Sequence, residues 1–243
     1  MAVIRTQTTS ASHIRIMLIL GNLNLYFSIF MSKLPRFPQK NRKIRNNYSN
    51  LLLSKSISSK ISFNNTMFFN VNLRGSRLRK CSFNSTNIFL SDLSGVILNG
   101  SKFKNVHFKK CVFYATIFRK CKFINCKFDQ CVFINTNTQD FSESILNNCI
   151  ESNFYQLKEL KNSIASLIAY KSIPILQRNR LLHLKGGKIN KATFSILLSN
   201  FSEENVFLAL SLIFLDNSYS RPKILSTFKL LEEIKMTLDN IQA

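Results

Sequence analysis

A large apolar side chain recurs at every fifth position through the middle of the chain. The series runs from Phe63 to Phe133 without a slip of register. Neither an α-helix, with its period of about 3.6 residues, nor a flat strand, with its period of two, keeps every fifth side chain on one face. The pattern therefore predicts a chain that turns regularly about an axis. The predicted core residues are Phe63, Phe68, Leu73, Leu78, Phe83, Ile88, Leu93, Leu98, Phe103, Phe108, Phe113, Phe118, Phe123, Phe128 and Phe133.

A second set of side chains lies two positions before the first and is small or β-branched almost throughout. Cys81, Val96, Ser101 and Thr116 are examples. Large and small inward side chains that alternate along an axis fill a narrow interior, and each coil hydrogen-bonds to the next. A single coil is stable only when it is stacked, so we expect one continuous solenoid.

These units resemble the pentapeptide-repeat family, whose pattern is small-x-large-x-x. The five residues from Cys111 (CVFYA) and the five from Cys121 (CKFIN) show it clearly. The resemblance covers residues 61–138 and continues loosely to Phe154. It implies a right-handed, four-sided β-helix with four repeats in each coil and coils stacked about 4.8 Å apart.

The hydrophobic period becomes helical after the repeats. A helical stripe runs from Leu157 to Ile168, Glu203 begins a strongly apolar helix with acids in its first turn, and a last amphipathic helix follows Pro222. These segments predict a small helical domain packed on the end of the coil.

The predicted fold class is therefore mainly β, a right-handed quadrilateral β-helix (pentapeptide-repeat solenoid) followed by a small α-helical C-terminal domain. Three regions follow. They are a basic, flexible leader at 1–58, the β-helix at 59–154, and a helical cap or interaction domain at 155–243.

Within the leader, residues 16–32 carry no charged side chain. Such a stretch is typical of a signal peptide or a marginal membrane anchor. Gly21 interrupts it, however, and no small-x-small cleavage site follows before Lys33. The alternatives are a non-native extension upstream of a start at Met31 and an unfolded leader.

The charge balance limits the partners. The 243 residues include 34 Lys and Arg against 12 Asp and Glu, for a formal charge of +22. A surface this basic attracts phosphate, anionic lipid or acidic protein, so an acidic mimic of DNA is excluded. The 22 Phe and the 45% of apolar residues also exclude a wholly disordered basic tail.

The charge is unevenly distributed along the chain. Residues 1–60 carry ten basic residues and no acid, 61–140 carry twelve and three, and 141–243 carry twelve and nine. The excess of positive charge therefore lies in the leader and the repeats.

The residue types that support catalysis or metal binding do not form a recognisable set. The repeat cysteines all fall on the small inward position, where a thiol packs as a small hydrophobe, and their spacing is not that of a zinc site. These cysteines are Cys81, Cys111, Cys121, Cys126 and Cys131. The implied coil would stack Cys111 on Cys131, near enough for a disulfide in an oxidising compartment, although reduced thiols are the favoured state. We therefore predict a protein that is not an enzyme, with no catalytic, cofactor-binding or metal-binding residue and no cofactor.

The twenty-residue coil implied by the resemblance also aligns outward residues of successive coils. The predicted binding edge, called the basic edge below, consists of Arg79, Lys80, Lys102, Arg119, Lys120 and Lys122. Stacked like charges repel, and an anionic counterpart would relieve the repulsion. The alternative interpretation is a solvated surface without a partner. Outward Phe89 and Leu90 form a second, weaker candidate for a contact patch.

Pentapeptide-repeat proteins fall into several functional groups. The basic surface contradicts the mechanism of the group that protects gyrase and topoisomerase by resembling DNA. The order of leader, β-helix and helical domain resembles type III secreted effectors, including the front half of the SopA-type HECT-like ubiquitin ligases. Ligase activity is not carried over, since no catalytic lobe follows the helical domain.

The predicted function is that of a non-enzymatic binding scaffold, a candidate bacterial effector secreted into a host cell. It would engage a host protein or an anionic membrane through the basic edge. The alternatives are a truncated substrate-binding portion of a SopA-like effector ligase and a pentapeptide-repeat protein of the bacterial cytoplasm. Nucleic acid is a less favoured partner because no aromatic stacking platform is visible. The C-terminal helices are a candidate surface for homodimerisation.

Overall fold

The computed structural model describes residues 43–44, 47–141, 144–161, 165–215 and 223–242. The segment predicted as a signal or anchor, 16–32, lies outside the described residues.

The repeats form four parallel sheets, here called faces A to D, which wrap around one axis. Face A consists of Ile57–Ser59, Arg77–Arg79, Ile97–Asn99 and Ile117–Arg119. Face B consists of Lys43–Ile44, Ser62–Asn64, Ser82–Asn84, Lys102–Lys104 and Lys122–Ile124. Face C consists of Tyr48–Ser49, Met67–Phe69, Asn87–Phe89, His107–Lys109, Lys127–Asp129 and Ile145–Asn147. Face D consists of Val112–Tyr114, Val132–Ile134 and Ile150–Ser152.

The register of these sheets confirms the predicted solenoid. Phe63 pairs with Phe83, Phe83 with Phe103 and Phe103 with Phe123, so each coil advances by twenty residues. Isolated bridges that join Leu52, Asn72, Asp92 and Val112 continue face D toward its first coil.

The fifth residue of each repeat turns the corner with a positive φ. At Asn65, Asn105 and Asn125 φ is 50°, 54° and 50°. Asparagine tolerates this left-handed region better than most residues, and glycine, as at Gly75 and Gly95, adopts it freely. The asparagines at the fifth position of the repeats are therefore explained by the corners.

The interior is a set of aromatic columns. The ring centroids of Phe83 and Phe103 are 4.8 Å apart and those of Phe103 and Phe123 are 4.7 Å apart, each pair within 5° of parallel. The ring spacing equals the spacing of neighbouring strands because the register places each ring on the next. Every predicted core residue is buried except Phe118, which is partly buried.

The small inward position has a second role. The hydroxyl groups of Thr86 and Thr116 donate hydrogen bonds to the carbonyls of Phe63 and Leu93 in the preceding coil, over 3.1 Å and 2.8 Å. A small side chain with a donor thus leaves room for the large ring and also satisfies its own polar group.

The coil begins earlier than predicted. Lys43–Ile44 pairs with face B, and Tyr48 stacks on Phe68 with ring centroids 5.0 Å apart. Residues 43–58 of the predicted leader therefore include coil. They were missed because the five-residue period weakens there. Ser58 is small where a large apolar residue is expected, and Ile44, one residue out of step with the period, is the residue that pairs with Phe63.

The C-terminal end of the aromatic interior is closed by Phe141. This residue ends a short 3-10 helix, Gln139–Phe141, and its ring is stacked 4.7 Å from that of Phe128 and packed edge-on 4.6 Å from that of Phe123. Beyond it, Ile145–Asn147 and Ile150–Ser152 add a partial coil on faces C and D only. Lys127 pairs with Ile145, so this last turn is two residues shorter than the others.

The C-terminal segment is helical from residue 165. Short 3-10 helices span Phe154–Gln156, Ala165–Ser172 and Lys185–Gly187. The α-helices are α1 (Pro174–Asn179), α2 (Lys191–Leu198), α3 (Glu203–Phe214) and α4 (Thr227–Gln242). The side chains of Asn190 and Ser202 cap the N-termini of α2 and α3.

These helices pack along face D, and the expectation that they cover the end of the coil was wrong. Val112, Val132 and Ile134 of face D form one apolar cluster with Ala192 and Ile196 of α2. Face D offers this apolar surface because its outward positions in the later coils carry Val112, Val132 and Ile134, where face B carries Lys102, Lys104 and Lys122. The helices can therefore bury it, while Phe141 already closes the end.

Polar side chains fix the position of the helical segment on face D. The fully buried amide of Asn72 donates to the carbonyls of Asn179 and Leu225, over 2.9 Å and 3.0 Å. The amide of Asn70 donates to the carbonyl of Lys223 and accepts a bond from the backbone of Leu225. A buried amide needs such partners, so these bonds specify one position of the helices.

Candidate functional site

The structure brings the six residues of the basic edge together on one corner of the β-helix and its two flanks. Arg79 and Arg119 lie in one column of face A, with Asn99 between them. Lys102 pairs directly with Lys122 on face B. Lys80 and Lys120 occupy the corner that joins these faces, each with a φ of 51°.

All six side chains are exposed. The four strand residues point outward because side chains alternate along a strand, and the residue between each outward pair, such as Leu98 or Phe123, occupies the interior. Lys80 and Lys120 are exposed at the corner. Within the described part of the chain, none of the six forms an ion pair with a carboxylate. Their charge is thus directed to the solvent.

The basic surface is larger than predicted. Faces A and B with their shared corner carry no acidic residue, and they carry four basic residues beyond the predicted six. These four are Lys43, Lys60, Arg77 and Lys104, all exposed. Sequence reasoning missed Lys60, Arg77 and Lys104 because the twenty-residue alignment was applied to only part of the coil. The alignment could not have found Lys43, because Lys43 pairs with Ser62, 19 residues further on.

Two acids of the described coil, Asp92 and Asp129, lie on the other faces. Asp92 lies on face D, where it is fully buried and its carboxylate is 2.6 Å from the guanidinium of Arg74. Asp129 lies on face C and is also paired. This separation leaves one side of the molecule basic and unneutralised.

Asp129 links three strands of face C. Its carboxylate lies 2.6 Å from Nε2 of His107 and 3.0 Å from Nζ of Lys127. Burial raises the pKa of this carboxyl, but hydrogen bonds from Lys127, His107 and Asn147 outweigh burial and lower the pKa overall. His107 and Asn147 belong to the two neighbouring coils, so the charged carboxylate ties the last partial coil to the body.

The second candidate patch, Phe89 and Leu90, is not an exposed surface. Leu90 is only 6% exposed. Phe89 is half-buried, and its ring lies edge-on to that of His107 at 5.2 Å. The prediction of an apolar contact patch at these residues was wrong, because Leu90 takes a corner position beside face D and Phe89 packs on its own sheet.

The cysteine thiols belong to the interior. Cys81, Cys111, Cys126 and Cys131 are at most 1% exposed. Burial raises the pKa of Cys81, Cys126 and Cys131. A thiol held in its neutral form is a poor nucleophile and a poor metal ligand. These positions therefore fill space in the coil.

Among the described residues, no group of three or more His, Cys, Asp or Glu side chains is arranged to hold a metal ion. In that same part of the chain no single helix has the length and apolar composition to span a bilayer, although α2 and α3, bent by 112°, meet the criterion as a pair.

A cleft of about 300 Å³ lies between the last coils of face D and the helices. Val132, Ile150 and Phe228 contribute to its mostly apolar lining. Its cation, Lys110, is paired with Glu232 at 2.9 Å. The cleft thus lacks the unpaired charge that marks the basic edge.

Comparison with known proteins gives the repeats a family. A model described as pentapeptide repeats matches residues 91–130 with eight copies. No curated protein matches the sequence.

Three solved structures illustrate the structural similarity. QnrB1, a plasmid-mediated fluoroquinolone resistance protein, is 14% identical with a TM-score of 0.25, over 46% of this chain and 60% of its own. The pentapeptide repeat protein Rfr23 of the cyanobacterium Cyanothece is 8% identical with a TM-score of 0.25, over 46% and 82%. A pentapeptide repeat protein of the Arabidopsis thaliana thylakoid lumen is 14% identical with a TM-score of 0.29, over 64% and 90%.

The match to QnrB1 thus spans 60% of that protein, and these similarities give no information about function. The repeat match and the structure together show the fold. The chain contains pentapeptide repeats that form a parallel β-solenoid of about five turns, followed by C-terminal helices.

Proposed function

We propose that this protein is a non-enzymatic scaffold that binds an anionic partner through its basic edge. The observation that carries the proposal is the charge of faces A and B with their shared corner, whose described residues include ten basic residues and no acidic one. The rigid coil holds these charges at fixed positions on turns that are about 4.8 Å apart. Their mutual repulsion is relieved when an anionic surface replaces the solvent counterions.

Charge reversal tests the proposal. The triple variant Arg119→Glu, Lys120→Glu, Lys122→Glu is expected to reduce binding to phosphatidylserine-containing vesicles by about 100-fold or more, since each basic residue near such a surface contributes about 1 kcal/mol. Vesicle co-sedimentation measures the binding. Circular dichroism of the variant should match the unaltered protein, because all three side chains are exposed.

A matched control has the same change in formal charge elsewhere. Lys185→Glu, Lys188→Glu, Lys235→Glu alters three exposed lysines of the helical segment and should weaken binding by a few-fold only. Equal losses of vesicle binding in both variants would show that net charge alone, and not the basic edge, determines binding. Unchanged binding in the first variant would refute the role of the basic edge.

Delivery into a host cell is the second part of the proposal. What supports it is the order of leader, β-helix and helical segment, which resembles that of type III secreted effectors. We expect the full chain, fused to a reporter that responds only in host cytosol, to give a signal that depends on a working type III secretion system. A second fusion that begins at Met31 tests the leader. Good expression without a signal from either fusion would favour a role inside the bacterium.

A further inference from the structure

Face A differs from face B in a way that bears on the nature of the partner. Its outward column nearest face D contains three isoleucines, Ile57, Ile97 and Ile117, around Arg77. Ile57 is 67% exposed and Ile117 is 38% exposed. The neighbouring outward column contains Arg79 and Arg119. Face A is thus amphipathic across its width, with an aliphatic column beside a basic one.

The corner on the aliphatic side of face A, between faces D and A, consists mostly of residues with small side chains. It is formed by Lys55 in the first coil and by Gly75, Gly95 and Ala115 in the next three, and a side chain at Gly95 would meet only the backbone of Gly75, at 3.9 Å. The corner on the other side carries Lys60, Lys80 and Lys120. Beyond the first coil, a flat surface can therefore approach the isoleucines closely while these three lysines reach it from the opposite margin.

We propose that face A docks flat on the surface of an anionic lipid bilayer, with the isoleucine column entering the interfacial region and the basic column and corner lysines contacting headgroup phosphates. This inference rests on the proposed function and names its partner. Aliphatic side chains beside cations gain free energy at such an interface from apolar burial and electrostatic attraction together.

Nucleic acid fits this face less well. Its phosphate backbone offers the isoleucines no apolar partner, and its bases would require aromatic stacking platforms. The outward positions of the described strands on faces A and B contain no aromatic residue. A bilayer makes use of both columns, whereas a polyanion makes use of only one.

The isoleucine column provides the test. The double variant Ile57→Ser, Ile117→Ser keeps every charge and is expected to bind vesicles of phosphatidylcholine and phosphatidylserine about tenfold more weakly, because exposed apolar area no longer leaves water on binding. Its affinity for soluble poly-L-glutamate should stay within twofold. Flotation measures the first affinity and fluorescence anisotropy the second.

The matched control removes equally exposed isoleucines from other faces. Ile145 is 60% exposed on face C and Ile150 is 56% exposed on face D. Ile145→Ser, Ile150→Ser should leave vesicle binding within twofold. Thermal unfolding of both variants shows whether the coil stays intact.

The possible failures are distinguishable. If the two double variants bind vesicles equally while the charge-reversed protein does not, the basic edge stands and bilayer insertion is refuted. If the unaltered protein binds poly-L-glutamate, or a short RNA duplex, and no vesicle, the partner is a polyanion and the bilayer inference is wrong. If it binds none of these probes, the proposed function fails as well.

Discussion

Phe103→Ala is expected to lower the free energy of unfolding by about 3–5 kcal/mol, the range for deletion of a buried ring. Phe103 is 2% exposed and lies between Phe83 and Phe123 in one aromatic column. Alanine at this position leaves a cavity in a narrow interior, and neighbouring coils cannot collapse into it because their hydrogen bonds hold them at the strand spacing. Urea denaturation followed by circular dichroism measures the loss.

The control for this prediction is Lys104→Ala, on the same strand with an exposed side chain. Its effect is expected to stay within about 0.5 kcal/mol. A loss below about 1 kcal/mol for Phe103→Ala, similar to that of the control, would contradict the continuous aromatic column.

Asp92→Ala is expected to destabilise the protein by about 3 kcal/mol, because removal of one partner of a buried ion pair leaves the other charge uncompensated. Asp92 is fully buried on face D, and its carboxylate also accepts a 2.8 Å hydrogen bond from the backbone of Ser94. The guanidinium of Arg74, whose side chain is 16% exposed, would lose its only described carboxylate partner.

The double variant Arg74→Met, Asp92→Leu tests whether the loss of stability in Asp92→Ala comes from the uncompensated charge of Arg74. Since it removes both charges and fills the space with apolar atoms, we expect it to be more stable than Asp92→Ala. Chemical denaturation of the two variants, compared at the same pH, checks the order. A double variant that is less stable than Asp92→Ala would contradict the argument from an uncompensated charge, since both variants lose the hydrogen bond from Ser94 equally.

Much of the β-helix could be predicted from the order of the residues. The five-residue period from Phe63 to Phe133 specifies which side chains point inward, because each repeat is a local unit and successive repeats are equivalent. The twenty-residue alignment also placed Arg79, Asn99 and Arg119 in one column of face A, and the register confirms this column. Where the period weakens, at residues 43–58, the prediction failed, because pairing with the next coil compensates there for a poorer repeat.

The candidate site could be predicted only in part. The six residues of the basic edge follow from alignment of the coils, but the amphipathic character of face A does not follow from charge alone. The amphipathic character depends on the exposed fractions of Ile57 and Ile117 and on the small residues at the neighbouring corner, Gly75 and Gly95. These are properties of the assembled surface.

The sequence by itself thus determined the solenoid, its aromatic interior and its basic side, since all three repeat with a short period along the chain. Only the tertiary structure decided where the helices lie, what closes the end of the coil and which outward residues are buried. Asn72 bonds to Leu225, 153 residues away, and Phe141 enters the interior after the period has ended. Contacts between residues so far apart in the sequence depend on how two folded surfaces fit together, and a five-residue period contains no information about that fit.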